Sequence, residues 1–369
     1  MHPSSIIINI KTFQDNLNYI RQTLSENVKI CLPVKANAYG HGIKGISKLA
    51  ELFVDYFAVA CLNEGALLRK TGIEKPILVL GAIDEDQIPG LIENNLDITI
   101  SSFFKAKLVS DFCKRIGKSC KVHIKVDTGM NRVGIKAKNA ASLIDYIHSD
   151  HNLELEGIYS HLAESEEIDR TFTTSQIESF RKVCSYAKSK KEDIICHLAN
   201  SGALCYSPES YLDMVRPGIL SYGYFPGKKE PQYPLNQVKP SFMLKTKIAY
   251  FKAIEAGESV SYNRKYRTDK LTRIVTLPIG YGDGYRRALS GKGTVLIRGH
   301  KYPISGTICM DMTMVDIGSE GTAYVGDEAV LIGSQGKEQI TLEEIADICQ
   351  TNTYEILCSL SERIPRIYA

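Results

Sequence analysis

The sequence predicts a (β/α)8 barrel of the TIM type followed by a smaller, mostly β domain. Two features of the chain predict it. Over the first two-thirds, short apolar runs alternate with segments of helical spacing, the rhythm of parallel strands joined by crossover helices. After Pro240 that rhythm gives way to short strands parted by Gly-rich turns. A third feature concerns function: several unusual polar clusters fall just past the ends of the apolar runs, where barrels of this kind keep their chemistry.

Eight runs supply the barrel strands. Segment 28–34 is β-rich, 56–61 is apolar, 77–80 follows Pro76 and stops at Gly81, and 97–100 stops at two serines. Segment 122–126 alternates, and 155–159, 194–198 and 212–215 complete the set. Between them, 42–53, 63–70, 105–116 and 174–188 carry helical spacing. Eight such units in about 220 residues match the usual size of the fold. Beyond Pro240, segments 243–253, 273–279, 294–297, 313–317 and 329–332 read as strands and 342–349 as a helix. The division is therefore a barrel over 1–235 and a β domain over 236–369, with the Pro-rich stretch 226–240 as linker and residues 1–10 available to pair with the second domain.

Composition narrows the functional classes. The 369 residues suffice for two domains, and 44% hydrophobic with 24% charged residues is ordinary globular usage. A net charge of +3, from 45 basic and 42 acidic side chains, argues against nucleic acid or an anionic membrane as partner. None of the ten cysteines forms a CxxC pair, and Cys31, Cys61, Cys196 and Cys358 sit in apolar stretches, which predicts buried, reduced thiols and a cytoplasmic protein. The first ten residues lack the basic-then-apolar pattern of a secretory leader, and no run of about 18 apolar residues predicts a membrane span.

Five polar clusters converge on one predicted barrel mouth. They are Lys35-Ala36-Asn37-Ala38-Tyr39-Gly40-His41-Gly42 after the first strand, Asp127-Thr128-Gly129-Met130-Asn131-Arg132 after the fifth, Ser160-His161 after the sixth, Asn200-Ser201-Gly202 after the seventh and Arg216-Pro217-Gly218-Ile219 after the eighth. Lys35 ends an apolar strand, so its amine points into a partly desolvated site where a lysine becomes a nucleophile. Taken alone, such a lysine reads far more readily as one that snorkels out of a strand end. Ser201, Gly202, Gly218 and Ile219 offer a hydroxyl and backbone amides at helix starts, the makings of a phosphate cup, though Ser-Gly and Pro-Gly are also common turn pairs. Asp283, inside Gly280-Tyr281-Gly282-Asp283-Gly284, reads as loop geometry rather than a metal or dinucleotide site, and no metal is expected.

At these residues the chain resembles the bacterial alanine racemases. Val34-Lys35-Ala36-Asn37-Ala38-Tyr39-Gly40-His41-Gly42 resembles their pyridoxal 5′-phosphate (PLP) attachment signature. The clusters at Asp127, Gly157 to His161, Asn200-Ser201 and Arg216 to Ile219 are similar to the family's other barrel motifs, and Val260-Ser261-Tyr262, Pro278-Ile279-Gly280-Tyr281 and Cys309-Met310-Asp311 to its C-terminal motifs, all in family order. The resemblance implies that Lys35 holds PLP and serves one face of the substrate Cα, while Tyr262 of a partner subunit serves the other. It implies that His161 and Arg216 run behind that tyrosine and polarise it. Arg216 would face the pyridine nitrogen and, as a fixed cation, keep it unprotonated, which favours returning a proton to Cα over transamination. Tyr39, His161, Asn200, Ser201, Gly218 and Ile219 would complete the cofactor site. Arg132, Tyr281, Met310 and Asp311 would bind substrate, and Lys125 would be a carbamylation site that orients Arg132. A homodimer with a shared active site follows, because Tyr262, Met310 and Asp311 lie outside the barrel that holds Lys35.

Three positions depart from the family pattern: Thr307 where an arginine is usual, Met312 where a glutamine is usual, and Glu362 where a tyrosine borders the phosphate and the substrate side chain. They bear on entry and substrate breadth and keep a serine or broad-spectrum racemase as an alternative. A barrel-type PLP decarboxylase would carry a glutamate in place of Arg216. A non-catalytic PLP-binding barrel would lack the β domain and Tyr262.

Overall fold

The computed structural model describes residues 2–227 and 230–369, so Lys228 and Lys229 of the expected linker lie outside the described residues. The chain forms two compact units. One comprises Lys11–Ala38 and Ile43–Pro240, and the other residues 2–10, Tyr39–Gly42 and Ser241–Ala369.

Strand β1 (Ser5–Ile8) belongs to the second unit. The first unit holds β2 (Lys29–Pro33), β3 (Tyr56–Val59), β4 (Ile77–Val79), β5 (Asp97–Ile100), β6 (Cys120–Asp127), β7 (Ile135–Lys136), β8 (Leu153–Tyr159), β9 (Ile195–His197) and β10 (Met214–Val215). Eight of these run β5-β4-β3-β2-β10-β9-β8-β6, all parallel, and β5 pairs with β6 to close the ring; β7 flanks β6 outside it. The (β/α)8 barrel is therefore present. Strands β3, β4 and β5 are buried along their whole length, as parallel strands covered on both faces must be. Cys31, Tyr56, Ala58, Ile195 and Met214 pack together as one apolar cluster of the core. The helices obey local chemistry. Helix Phe103–Ile116 starts at Ser102, whose hydroxyl accepts from the Lys105 amide, turns Ala106, Val109 and Cys113 inward, and ends at Gly117 in the left-handed conformation.

The second unit is mostly β. It contains β11 (Phe242–Lys247), β12 (Tyr250–Ile254), β13 (Ser259–Val260), β14 (Tyr266–Arg267), β15 (Thr272–Leu277), β16 (Thr294–Ile297), β17 (His300–Pro303), β18 (Thr313–Asp316), β19 (Glu328–Gln335), β20 (Glu338–Ile340) and β21 (Arg366–Tyr368). One sheet runs β17-β16-β19-β11-β1-β21 with β20 on β19, a second runs β12-β15-β18, and β13 and β14 form a hairpin. Strand β1 lies antiparallel to β11 and parallel to β21, so the first residues of the chain are built into this unit.

Two readings need correction. The apolar run 243–253 is two strands, β11 and β12, because the backbone changes sheet between them. The Ile248 amide donates to Asp327 O at 2.9 Å, and the next amide, Ala249, donates to Thr276 O of β15 at 2.9 Å. Of the four cysteines expected to be buried, Cys31 and Cys196 are, whereas Cys61 and Cys358 are exposed. Cys61 lies past the end of β3 as the N-cap of helix Leu62–Lys70, and Cys358 sits on helix Thr353–Ser359 away from its buried residues Ile356 and Leu357. No disulfide joins the described cysteines. Among the described residues, no helix is long and apolar enough to cross a membrane, and no cluster of His, Cys, Asp or Glu could hold a metal ion.

Candidate active site

Lys35 follows β2 by two residues, and the chain then makes one turn of left-handed helix. Ala36, Asn37, Ala38 and Tyr39 have φ between 52° and 54°. Each L-residue in that conformation costs roughly 1–2 kcal/mol, so neighbours must hold it. Glu64 does so with both oxygens, accepting from the Ala36 amide at 2.7 Å and from the Ala60 amide at 2.8 Å. Asn37 accepts from the Ile43 amide at 2.7 Å and closes the turn. Ala36 is exposed, so its side chain packs against little. Ala36→Gly is therefore expected to raise thermal stability by up to about 1 kcal/mol, and Ala36→Val to lower it by about as much or more; a melting series on purified protein checks the order Gly, Ala, Val.

Arg216 follows β10 and is 4% exposed. Its Nη1 donates to His197 Nδ1 at 2.8 Å, and its Nη2 donates to the carbonyls of Ser160 at 2.6 Å and Leu198 at 3.0 Å. These bonds lock the guanidinium plane and leave Nε–H unengaged among the described residues. The Tyr159 ring lies beneath this group. His197 stacks on it at 4.9 Å, Lys125 Nζ sits 4.2 Å from its centroid and the Arg216 guanidinium carbon 5.4 Å. Burial and the nearby cations Arg216, Arg132 and Lys35 hold the Lys125 amine well below the ordinary lysine range, with Asp127 opposing them. Burial, then Arg216, Lys125, Arg132 and Lys35, likewise push His161 well below the usual imidazole value. The mouth of the barrel thus concentrates positive charge, and burial together with that charge disfavours protonation of Lys125 and His161.

The cup expected after the last two strands is laced together by its own side chains. Asn200 caps helix Ser201–Tyr206, accepting from the Ala203 amide at 3.0 Å and from Ser165 Oγ at 2.8 Å. Ser201 Oγ accepts from the Leu220 amide at 3.2 Å, which ties that helix start to the 3-10 turn Ile219–Tyr222 and leaves the hydroxyl proton to donate. Gly202 admits no side chain, since a Cβ there would lie 2.4 Å from Ser165 Oγ. Two turns thus begin side by side, and first-turn amides have no partner within their own helix, which is the donor set of an anion site.

On the opposite rim, Asp127 accepts from the Gly129 and Asn131 amides, each at 3.0 Å, and from Lys136 Nζ at 2.6 Å, fixing the loop that carries the exposed Arg132. Gln176, fully buried, was not singled out from the sequence. Its amide donates to Thr128 Oγ1 at 3.1 Å and His161 O at 3.2 Å and accepts from the Ala163 amide at 3.0 Å, joining the loops after β6 and β8.

Tyr262, Tyr281, Met310 and Asp311 belong to the second unit, where three loops gather them at one edge. Ser261 Oγ donates to Thr307 O, and Thr307 Oγ1 donates to Tyr262 O at 3.2 Å, so Thr307 fastens the β13–β14 turn. The Tyr281 amide donates to Cys309 O at 3.0 Å and the Gly282 amide to Met310 O at 2.8 Å. Arg363 bridges Asp283 at 2.6 Å and Asp311 at 2.9 Å. Asp283 is buried and also accepts from the Gly280 amide at 2.9 Å, so its carboxylate is spent on this loop. Tyr262 is 66% exposed, with Tyr281, Met310 and Met312 exposed near it. Tyr39 lies in the same unit, its ring 6.0 Å from that of Tyr354. Glu362 is exposed.

A parallel barrel with a lysine at the end of its first strand, a locked arginine at the end of its last and an anion-binding cup beside it is the arrangement that the resemblance to PLP-dependent racemases leads one to expect. The particular family follows from comparison. The profile of the alanine racemase N-terminal domain matches residues 8–226, and that of the alanine racemase C-terminal domain matches residues 241–368. The chain is 40% identical over 370 residues to an alanine racemase of Carboxydothermus hydrogenoformans, covering 100% of both chains, and 38% identical to that of Methanococcus maripaludis, covering 100% and 99%. It matches the structure of alanine racemase from Clostridium difficile 630 with a TM-score of 0.94 at 36% identity, covering 100% of this chain and 96% of that one. The alanine racemase of Bacillus anthracis with bound L-Ala-P gives 0.90 at 32% identity, covering 100% and 95%. The chain belongs to the alanine racemase family, whose members depend on PLP. Its residues fit that cofactor: a lysine for the aldehyde, amides and a hydroxyl for the phosphate, and a locked cation with a spare N–H for the ring nitrogen.

Proposed function

We propose that this protein interconverts L- and D-alanine by a two-base reaction in which Lys35 and Tyr262 work on opposite faces of Cα. The observation that carries the reading is the state of Arg216: buried, held by His197, Ser160 and Leu198, and left with Nε–H to offer. A decarboxylase of this barrel type would present a carboxylate there instead. PLP, when bound, withdraws electrons from the substrate and makes its Cα hydrogen acidic.

The protein's own groups do the rest. Ser201, with the amides of Gly202, Gly218 and Ile219, binds the phosphate, with Asn200 shaping the cup and Tyr39 adding its hydroxyl. Arg132 pairs with the substrate carboxylate, and the Met310 backbone, Asp311 and Tyr281 border it. His161, kept neutral by burial and its cationic neighbours, accepts from the Tyr262 hydroxyl and passes its polarisation toward Arg216. Tyr262 takes the proton of the L-isomer and Lys35 that of the D-isomer.

The active unit in this reading is a homodimer in which each Tyr262 serves the partner's barrel. The exposed edge of Tyr262, Tyr281, Met310 and Met312 supports it, since exposed apolar patches mark interaction sites. The reading also includes a cytoplasmic enzyme that supplies D-alanine for peptidoglycan. Lys125 completes it as a carbamate, formed when the neutral amine adds CO2 and releases a proton. The anion would lie among Arg216, Arg132 and Lys35, the cations that, after burial, push the amine well below the ordinary lysine range. Protein equilibrated with 13C-bicarbonate is expected to show a carbamate carbon signal that Lys125→Ala removes; an unchanged signal in the variant would assign it elsewhere.

Racemisation assays of the purified, PLP-loaded protein with L-alanine, L-serine and L-arginine test the function. Turnover of alanine well above the other two is expected. Release of CO2 without D-alanine would replace the reading with decarboxylation.

A further inference from the structure

The core of a (β/α)8 barrel is ordinarily filled by branched apolar side chains. Here a line of polar side chains descends through it from Arg216. Arg216 Nη1 meets His197 Nδ1 at 2.8 Å, His197 Nε2 meets His123 Nδ1 at 3.0 Å, and His123 Nε2 faces Asp97 Oδ2 at 3.5 Å. Both imidazoles are 0% exposed and Asp97 is 4% exposed. Apart from that contact, His123 Nε2 and Asp97 Oδ2 have no hydrogen-bond partner among the described residues. The surroundings are shaped around the line. Gly157 of β8 stands where any Cβ would lie 2.5 Å from His123 Nδ1, the Tyr159 ring stacks on His197, and the Tyr56 ring meets His123 edge-on at 6.0 Å.

The proton positions along this line are dictated from one end. A guanidinium only donates, so His197 Nδ1 must present its lone pair. A neutral His197 then carries its proton on Nε2 and donates it to His123 Nδ1, which must be a lone pair in turn. His123 is left with its proton on Nε2, pointing at the carboxylate. We propose that Asp97 and His123 are positioning residues for the reaction: through His197 they fix Arg216 by a string of two imidazoles held in the Nε2–H tautomer and anchored on a buried carboxylate. The proposal rests on the racemase reading above.

The arrangement solves a specific problem. A carboxylate bonded directly to Arg216 would fix it but would also cancel the positive field that the ring nitrogen is meant to feel. Two aligned imidazole dipoles transmit the orientation while keeping the anion away from the mouth. Burial and then Arg216 and His123 hold His197 well below the ordinary histidine range, in keeping with a neutral link.

The first test reads the proton positions in the parental protein and uses substitutions only to assign signals. The protein has eight histidines. In PLP-loaded protein labelled with 15N in its histidine rings, two rings are expected as Nε2–H tautomers at neutral pH, assigned by the signals lost in His123→Gln and His197→Gln. A protonated Nδ1 on either ring overturns the proposal, and this readout stands whether or not the protein racemises alanine. The second test reads the consequence. Asp97→Asn keeps the shape and removes the charge. It is expected to lower the number of racemisation turnovers per transamination event, scored as pyruvate released, roughly tenfold, the scale of losing one buried polar contact. His123→Leu, which cuts the string, is expected to lower it at least as far. A ratio unchanged in both variants shows that the string only fills space and overturns the positioning role. A parent that makes no D-alanine refutes the racemase reading instead.

Discussion

Lys35→Ala is expected to abolish racemisation. Removing a single general acid or base costs roughly 10²–10⁴ in rate, and this substitution would also remove the proposed covalent anchor of PLP, so D-alanine formation should fall to the level of the blank. The variant should lose its visible absorbance on gel filtration while keeping its fold, because the lysine is half-buried at a strand end and the turn beyond it is held by Glu64 and Asn37. In the parental protein, borohydride should fix the cofactor to the peptide that contains Lys35. Label on another lysine, or a Lys35→Ala protein that still turns over, would place the chemistry elsewhere.

Tyr262→Phe is expected to lower kcat by roughly 10²–10⁴ in both directions while PLP remains bound. The hydroxyl is lost, but the turn is not. Thr307 bonds to the backbone carbonyl of residue 262, and Ser261 to that of Thr307. Because Tyr262 lies in the second unit, exposed at its edge, the loss should be complementable. Mixing Lys35→Ala with Tyr262→Ala protein should restore activity as subunits exchange, since each mixed dimer holds one site with both groups. Full activity in a species that sediments as a monomer would remove the shared site.

Much of the fold was legible because parallel barrel strands, buried on both faces, read as plain apolar runs, and the proposed site residues were legible because they follow immediately after those runs. Lys35, Arg132, His161, Ser201 and Arg216 each stand within a few residues of a strand end. Other polar residues around the proposed site carried no such flag. Gln176 lies within a long helix, His123 inside β6, Asp97 at the first residue of β5 and His197 at the last of β9, where pattern reading registers a polar residue in or beside an apolar run and nothing more. The left-handed turn at 36–39 contains no glycine, so residue preference argues against it; Asn37 closes it locally, and the clamp from Glu64, distant in sequence, carries no signal in the pattern. The break between β11 and β12 was hidden for a similar reason. An apolar run shows that a segment is buried, not which sheet its amides reach.

The assignment of one base to each face is tested most directly by following solvent deuterium into Cα with Tyr262→Phe protein. Lys35 remains, so exchange into D-alanine is expected to continue without inversion, while exchange into L-alanine, which needs the missing hydroxyl, falls by roughly 10²–10⁴. Faster exchange into L-alanine than into D-alanine would reverse the two roles, and racemisation at nearly the parental rate would contradict a two-base reaction altogether.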